Sequence, residues 1–192
     1  MYMGAWGITT FESDTGLDAV DLVRSGLPEN GRLELGSLLA AMKADQWHYP
    51  ENPEDGCSHT SPMALAEVMV AFLDNDLSAL DYTEEWAADD KKFAAITSFT
   101  ADTESITWLH DYLSKTLEGA LQNAATRAKH GTNPWDQWGG WSSEQSWLGW
   151  QRHMEMLIER IGAIGSPEAE PAELVQMQEM QAVPVHEMDM LG

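Results

Sequence analysis

The sequence predicts an all-α fold, a single-domain bundle of about five or six helices with a short irregular N-terminal segment and an acidic C-terminal tail. Apolar residues make up 43% of the 192 residues, which is enough to fill the core of one domain. In several stretches they recur every three or four residues, the period of a helix with one buried face. From Ser166 onward there is no lysine or arginine. We therefore expect a helical domain over residues 1–165 and a flexible, methionine-rich acidic tail over residues 166–192.

The N-terminal residues indicate an irregular segment followed by a capped helix. Gly4 and Gly7 flank Trp6, which is typical of a tight, non-helical turn whose ring enters the core. Ser13 or Asp14 can cap the helix that follows. Its apolar face would carry Leu17, Val20 and Val23, and its polar face Asp18 and Asp21.

Two more helices are expected before residue 74. A short helix would bury Leu35, Leu38, Leu39 and Met42. A loop over residues 49–61 follows, in which Ser61 can cap a third helix and Pro62 can take its first position. Residues 63–73 are apolar almost all round, which predicts a helix at the centre of the bundle.

The fourth predicted helix would begin at Thr83. Glu84 and Glu85 suit the positive end of its dipole. Its buried anchors would be Trp86, Phe93, Ile96 and Phe99.

The last two predicted helices are the longest. One starts at Asp102 or Thr103 and is closed by Gly131. Its buried stripe would be Ile106, Leu109, Leu113, Leu117, Leu121 and Ala124. The final helix would begin with a capping box formed by Ser142 and Gln145. Its core stripe would be Trp147, Trp150, Met154, Leu157 and Ile161.

The formal net charge of −22, from 32 acidic against 10 basic side chains, narrows the class of partner. Phosphate backbones and anionic membranes attract cations, so direct binding to nucleic acid or to membrane is not expected. A basic protein or divalent cations would be attracted instead. Acidity that serves only solubility is the simpler alternative.

The negative charge is concentrated between residues 44 and 90, where twelve acidic residues occur without any lysine or arginine. Such a field would steer a basic protein partner, although a single solvated face would show the same pattern. The candidate partner-binding acids are Asp74, Asp76, Asp81, Glu84, Glu85, Asp89 and Asp90.

Trp135 and Trp138 are candidate aromatic anchors of the same interface. Indole rings supply large contact areas at the centres of protein interfaces. The alternative is that both rings, with Trp141, cover the end of a core that Trp147 and Trp150 fill.

No compact catalytic or cofactor motif is present. The sequence contains neither a glycine-rich phosphate-binding motif nor His-Glu-x-x-His. Cys57 and His59 are close in sequence, but Glu54 and Asp55 disfavour the thiolate that a nucleophile needs. We therefore expect no catalytic residues and no cofactor.

A metal site is not expected either. Asp74, Asn75 and Asp76 offer oxygen ligands, but the spacing of an EF-hand loop is not met. The six histidines show no pair at the i, i+4 spacing that announces a zinc site.

The expected localisation is cytoplasmic. No run reaches the roughly 18 apolar residues that a membrane span needs. The first ten residues lack the basic and apolar regions of a signal peptide. Cys57 is the only cysteine, which agrees with a reducing compartment.

The N-terminal residues carry a family resemblance. The segment Met3-Gly4-Ala5-Trp6-Gly7 is followed by Phe11-Glu12-Ser13-Asp14-Thr15. This pattern resembles the opening of the uncharacterised bacterial domain-of-unknown-function family 4259, which is Met-Gly-x-Trp-Gly and then Phe-x-Asn-Asp, with Ser13 in place of the Asn. Residues 64–68 and 147–161 resemble later helical blocks of that family. The family has no established activity and no agreed catalytic residues, so the resemblance supplies neither for this chain. Small acidic bacterial proteins of this kind are similar to immunity proteins, which neutralise toxins encoded beside them.

The sequence thus favours a non-enzymatic acidic binding protein, of the immunity or inhibitor type, that masks a basic site on a cognate toxin or nuclease. Three alternatives stay open. They are a hydrolase-type enzyme with a split carboxylate site, a DNA mimic that inhibits a DNA-binding protein, and a scaffold within a larger assembly.

Overall fold

A computed structural model describes residues 7–55, 59–81, 92–164 and 175–176. These residues contain five α-helices: α1 (Asp14–Ser25), α2 (Leu35–Ala44), α3 (Ser61–Leu73), α4 (Thr103–His130) and α5 (Glu144–Ile164). The predicted all-α fold is confirmed. None of the described helices combines the length and the hydrophobicity that crossing a bilayer requires.

Helix α3 lies at the centre of the bundle, as its composition predicts. Every residue from 61 to 70 is buried. A helix that is apolar on all sides must have neighbours on all sides. Helix α3 meets that requirement by packing against α1, α4 and α5.

Side-chain caps fix the starts of several helices. The Ser13 hydroxyl accepts a 3.0 Å hydrogen bond from the Gly16 N–H, and Asp102 accepts one of 2.8 Å from the Ser105 N–H. The predicted cap of α5 is wrong by one residue, because Ser143 and not Ser142 accepts the bond from the Ser146 N–H.

Ser61 is not the cap of α3 but its first residue. Thr60 occupies the cap position without a side-chain hydrogen bond to the helix. The Ser61 hydroxyl instead lies 2.6 Å from His59 Nδ1 and 3.3 Å from His48 Nδ1.

The helix predicted to begin at Thr83 is wrong over its C-terminal half. Phe93 lies in the 3-10 turn Phe93–Ala95, and Phe99 lies in strand β2 (Ser98–Ala101). Both side chains are buried as predicted, but in β2 burial alternates with a period of two. Strand pairing therefore overrides the helical spacing of these apolar residues. Thr83 to Lys91 lie outside the described residues.

Strand β2 belongs to a small sheet that the sequence did not predict. It pairs in parallel with β1 (Arg32–Glu34), with Leu33 opposite Phe99, and antiparallel with β3 (Val175–Gln176). Gly31 leads into β1 with a φ of 68°, and its carbonyl accepts a 2.8 Å bond from the Thr97 N–H. Apart from the backbone of β3, the predicted tail lies outside the described residues.

The residues predicted to be buried on α4 are buried in its first half and at Ala124. Ile106, Leu109 and Leu113 are buried, whereas Leu121 is 41% exposed. Leu121 was therefore wrongly assigned to the core.

Candidate binding pocket

Glu67 is a carboxylate in the most deeply buried helix of the protein. It is only 8% exposed, and its neighbours on α3 are apolar. Burying a carboxylate is costly unless other groups donate hydrogen bonds to it or carry an opposite charge. We therefore expect specific partners around the Glu67 carboxylate.

Two elements distant in sequence supply the partners of Glu67. The Thr10 N–H donates to its carboxylate, at 2.9 Å from Oε1 and 3.1 Å from Oε2. His153 Nε2, on α5, lies 2.6 Å from Oε1. Glu67 thus ties α3 both to the N-terminal segment and to α5.

The N-terminal segment is shaped to present the Thr10 N–H. It forms the 3-10 turn Thr10–Glu12 directly before α1. Gly16 lets this turn lie against α1, because a Cβ at that position would overlap the Thr10 carbonyl. Glu12 Oε2 accepts hydrogen bonds of 3.0 Å from the N–H groups of Ile8 and Thr9, and the Thr9 N–H is the main cause of its lowered pKa.

A pocket of about 590 Å³ opens beside the Glu67–His153 pair. Helices α3 and α5, the 3-10 turn Thr10–Glu12 and the turn Leu77–Leu80 contribute its walls. The apolar part of the lining consists of Phe11, Leu17, Val70, Ala71, Ala79, Leu80, Met156 and Leu157. The acidic part consists of Glu67, Asp74 and Asp76. This volume and this mixture of an apolar lining with a few polar groups are typical of ligand and side-chain pockets.

Two of the acids predicted to bind a partner lie at this pocket. Asp74 and Asp76 are both exposed, on the turn that follows α3. Asp74 forms an ion pair with Arg160, with Oδ1 2.6 Å from Nη2. The structure therefore brings Asp74 and Asp76 together at the edge of a cavity.

Asp81 has a different role in the chain. Its carboxylate accepts hydrogen bonds from the N–H groups of Phe93, at 2.7 Å, and Ala94, at 2.9 Å. These bonds anchor the chain on either side of residues 82–91. The remaining predicted acids, Glu84, Glu85, Asp89 and Asp90, lie outside the described residues.

Trp135 and Trp138 lie far from this pocket. Trp135 is 47% exposed and Trp138 is half-buried, next to Gly139, which packs on the ring of Trp147. Trp147 is near the start of α5 and Arg160 near its end, so the helical rise separates them by about 20 Å. Asp74, which pairs with Arg160, and the two indoles are therefore at opposite ends of α5.

Trp147 and Trp150 contribute to the core, and Trp141 covers them, as one of the alternatives had it. Trp147 is buried, and its ring stacks on that of Trp150 with centroids 5.6 Å apart. Trp141 packs against Trp150 from the preceding loop, at 6.2 Å. Trp135 is the most exposed ring of this cluster.

Among the described residues, no three His, Cys, Asp or Glu side chains come together in a way that could hold a metal ion. Cys57 lies outside the described residues. Of the oxygen ligands that the sequence offers, Asp74 forms the ion pair with Arg160, and Asn75 has a left-handed conformation with a φ of 56°. The chemistry of this pocket is therefore that of carboxylates, one imidazole and apolar surface.

Residues 4–140 match the sequence model of the family described as Domain of unknown function (DUF4259). The chain belongs to this family. The match includes Thr10 and Glu67, whereas His153 and the rest of α5 lie beyond its end. No curated protein and no solved structure matches the chain.

Proposed function

We propose that this protein is a non-enzymatic acidic binding protein of the immunity or inhibitor type, which neutralises a basic protein such as a toxin or nuclease. The observation that carries the proposal is the pocket beside Glu67. It combines an apolar wall with an acidic edge, in a chain whose formal net charge is −22. Among the described residues that line it there is no lysine or arginine, and the nearby Arg160 contacts it only through its ion pair with Asp74.

A basic side chain of the partner fits this combination. The methylene stem of a lysine or arginine packs on apolar surface while its charged end seeks carboxylates. Phe11 and Met156 supply apolar surface, and Asp76 supplies a carboxylate. The Asp74 carboxylate would exchange its ion pair with Arg160 for the cation of the partner. A lysine or arginine of the partner that is held in this pocket would no longer be free to bind phosphate, and this chain would block access to it.

The wider negative field would act before contact. A surface of one charge sign raises the association rate of an oppositely charged partner, and salt screens the effect. We propose that the chain acts in a bacterial cytoplasm, because the toxin that it neutralises would be synthesised there. The lone cysteine supports a reducing compartment.

The proposal is tested by capture of a partner on the purified chain from a lysate of its host. We expect to capture one basic protein, in an amount nearly equal to that of this chain, and to release it with high salt. Co-expression of this chain should suppress the toxicity of that protein in a host cell. The double variant Asp74→Asn/Asp76→Asn should suppress less well than Glu29→Gln/Glu118→Gln, which removes two exposed charges elsewhere. Equal suppression by both variants would exclude the pocket edge from the interface.

The Glu67–His153 contact favours a second candidate, a hydrolase-type enzyme. A carboxylate that orients an imidazole is the arrangement in which many enzymes hold a general base. Chromogenic ester, phosphoester and glycoside substrates would reveal it. A turnover that His153→Gln removes would support this candidate, and an equal rate for both chains would reject it.

A further inference from the structure

A second cavity, of about 520 Å³, lies on the opposite face of α1 from the core. We call it the Trp47 cavity; its lining includes Thr15, Asp18, Asp21, Leu22, Trp47 and His59. Trp47 is 80% exposed at this site. Indole rings are usually well covered by protein, and tryptophan is enriched among the residues that contribute most to protein interfaces. The exposed ring beside a cavity and two carboxylates is therefore considered as a contact surface.

The backbone around Trp47 is held by the Asp45 side chain. Asp45 Oδ1 accepts hydrogen bonds from the N–H groups of Trp47, at 2.7 Å, and His48, at 3.0 Å. The exposed ring therefore projects from an ordered loop, which lowers the entropic cost of using it in binding.

The charges around the cavity favour a cation. Asp18 is exposed on α1, one turn before Asp21. Asp21 also pairs with Arg24 through Oδ1 at 2.9 Å, and its half-buried position raises its pKa. Burial, and then the neighbouring His48, lower the pKa of His59, so this imidazole adds no positive charge at neutral pH. Among the described residues, no lysine or arginine lines the cavity.

We propose that the Trp47 cavity binds an arginine side chain of a protein partner. A guanidinium is planar, so it stacks on an indole face while its N–H groups reach a carboxylate. Trp47 provides the face, and Asp18 and Asp21 provide the carboxylates. The identity of the partner rests on the proposed function, whereas the affinity of the cavity for arginine does not.

The test uses the full-length chain and two small probes that differ in charge alone. Nα-acetyl-L-argininamide carries the guanidinium, and Nα-acetyl-L-citrullinamide replaces it with a neutral urea of the same shape. The readout is the indole N–H signal of Trp47 in an NMR titration, assigned by its absence in Trp47→Phe. We expect a saturable shift of this signal with the arginine probe and none with the citrulline probe. Equal shifts with both probes, or no shift of this signal with either, would overturn the proposal.

Variants separate specific binding from general attraction to an acidic protein. Trp47→Leu keeps apolar surface but removes the aromatic face. Followed through the backbone amide signals of residues 15–22, since the indole signal is lost, the arginine probe should bind this variant about 2–5-fold more weakly. Asp18→Asn should weaken it more than Glu155→Gln, which removes an equal charge from an exposed position on α5. Equal effects of these two substitutions would show that net charge alone acts, and would overturn the proposal.

The two proposals fail in different ways. If the arginine probe binds at Trp47 but no basic protein is captured, the cavity stands and the proposed function falls. If a basic protein is captured but the probe does not shift the Trp47 signal, the function stands and the cavity has no role in it. Because Trp47 is exposed, Trp47→Leu should unfold at the same temperature as the parent chain, which excludes misfolding as the cause of lost binding.

Discussion

Replacing Glu67 by glutamine tests whether the buried carboxylate holds the N-terminal segment and α5 together. The amide oxygen of the new side chain could still accept from the Thr10 N–H, but the charge in the 2.6 Å contact with His153 would be lost. A hydrogen bond to a charged group contributes about 1.5–3 kcal/mol. Both side chains are largely buried, so solvent screens this contact little. We expect Glu67→Gln to lower the free energy of unfolding by about 2 kcal/mol.

Truncation to alanine should cost more than the neutral substitution. Glu67→Ala removes both contacts and leaves the Thr10 N–H without an acceptor among the described residues, at a cost of about 3–5 kcal/mol. A loss of 2 kcal/mol lowers the melting temperature of a chain of this size by about 4–8 °C. Urea denaturation followed by circular dichroism at 222 nm measures both variants, with Glu155→Gln as an exposed control that should change stability by less than about 0.5 kcal/mol.

A double-mutant cycle isolates the contact between Glu67 and His153. The single variants Glu67→Gln and His153→Gln and their combination should show a coupling free energy of at least about 1 kcal/mol. Additive effects, or a Glu67→Gln variant as stable as the parent chain, would refute the view that this pair stabilises the site.

Three further substitutions test the surrounding structure, each by urea denaturation against the parent chain. The Thr10 hydroxyl is buried without a hydrogen-bond partner among the described residues, so Thr10→Val should raise the free energy of unfolding by about 1 kcal/mol; a lower value would mean that the hydroxyl is in fact satisfied. Gly16→Ala should lower it by about 1–3 kcal/mol, because its Cβ meets the Thr10 carbonyl, and a neutral result would contradict the close approach of turn and helix. Asp102→Ala should lower it by about 1 kcal/mol at pH 7 through loss of the α4 cap. The pKa of the Asp102 carboxyl is lowered in the folded chain, chiefly because the Ser105 N–H donates to it. The stabilisation from this carboxylate is therefore present above its unfolded-state pKa and is lost as pH falls through its folded-state pKa. We expect the parent chain and Asp102→Ala to converge in stability below about pH 4.

The helices were predictable where local pattern and tertiary packing agree. Apart from Glu67, residues 63–73 are apolar on every side, and only the centre of a bundle satisfies such a helix. Ser13 and Asp102 were recognisable as caps because a short polar side chain before an apolar period satisfies a free backbone N–H. These signals lie within a few residues of one another.

The sheet was not predictable because its partners are distant in sequence. Phe93, Ile96 and Phe99 have the spacing of a helical face, yet Phe99 pairs with Leu33, 66 residues earlier. Two very short strands carry too little alternation to outweigh that spacing. Their formation depends on the turn at Gly31, whose carbonyl binds the Thr97 N–H.

The site was partly predictable. Asp74 and Asp76 were selected by charge alone, and the structure places them at a pocket. Glu67 was not selected, although it is the one charged residue in an otherwise apolar helix. That exception to the apolar pattern was the available signal, since a buried charge requires partners. Its partners, Thr10 and His153, are brought to it only by the packing of three elements.

The association rate between this chain and its captured basic partner, measured at several ionic strengths, tests the central claim most directly. We expect the rate to fall steeply as salt rises, and Asp74→Asn/Asp76→Asn to lower it by up to about tenfold at low salt, with little effect at high salt. The control pair Glu29→Gln/Glu118→Gln should change the rate less. A rate that is the same at low and high salt, for the parent chain and for both double variants, would contradict the claim that the acidic edge of the pocket steers a basic partner.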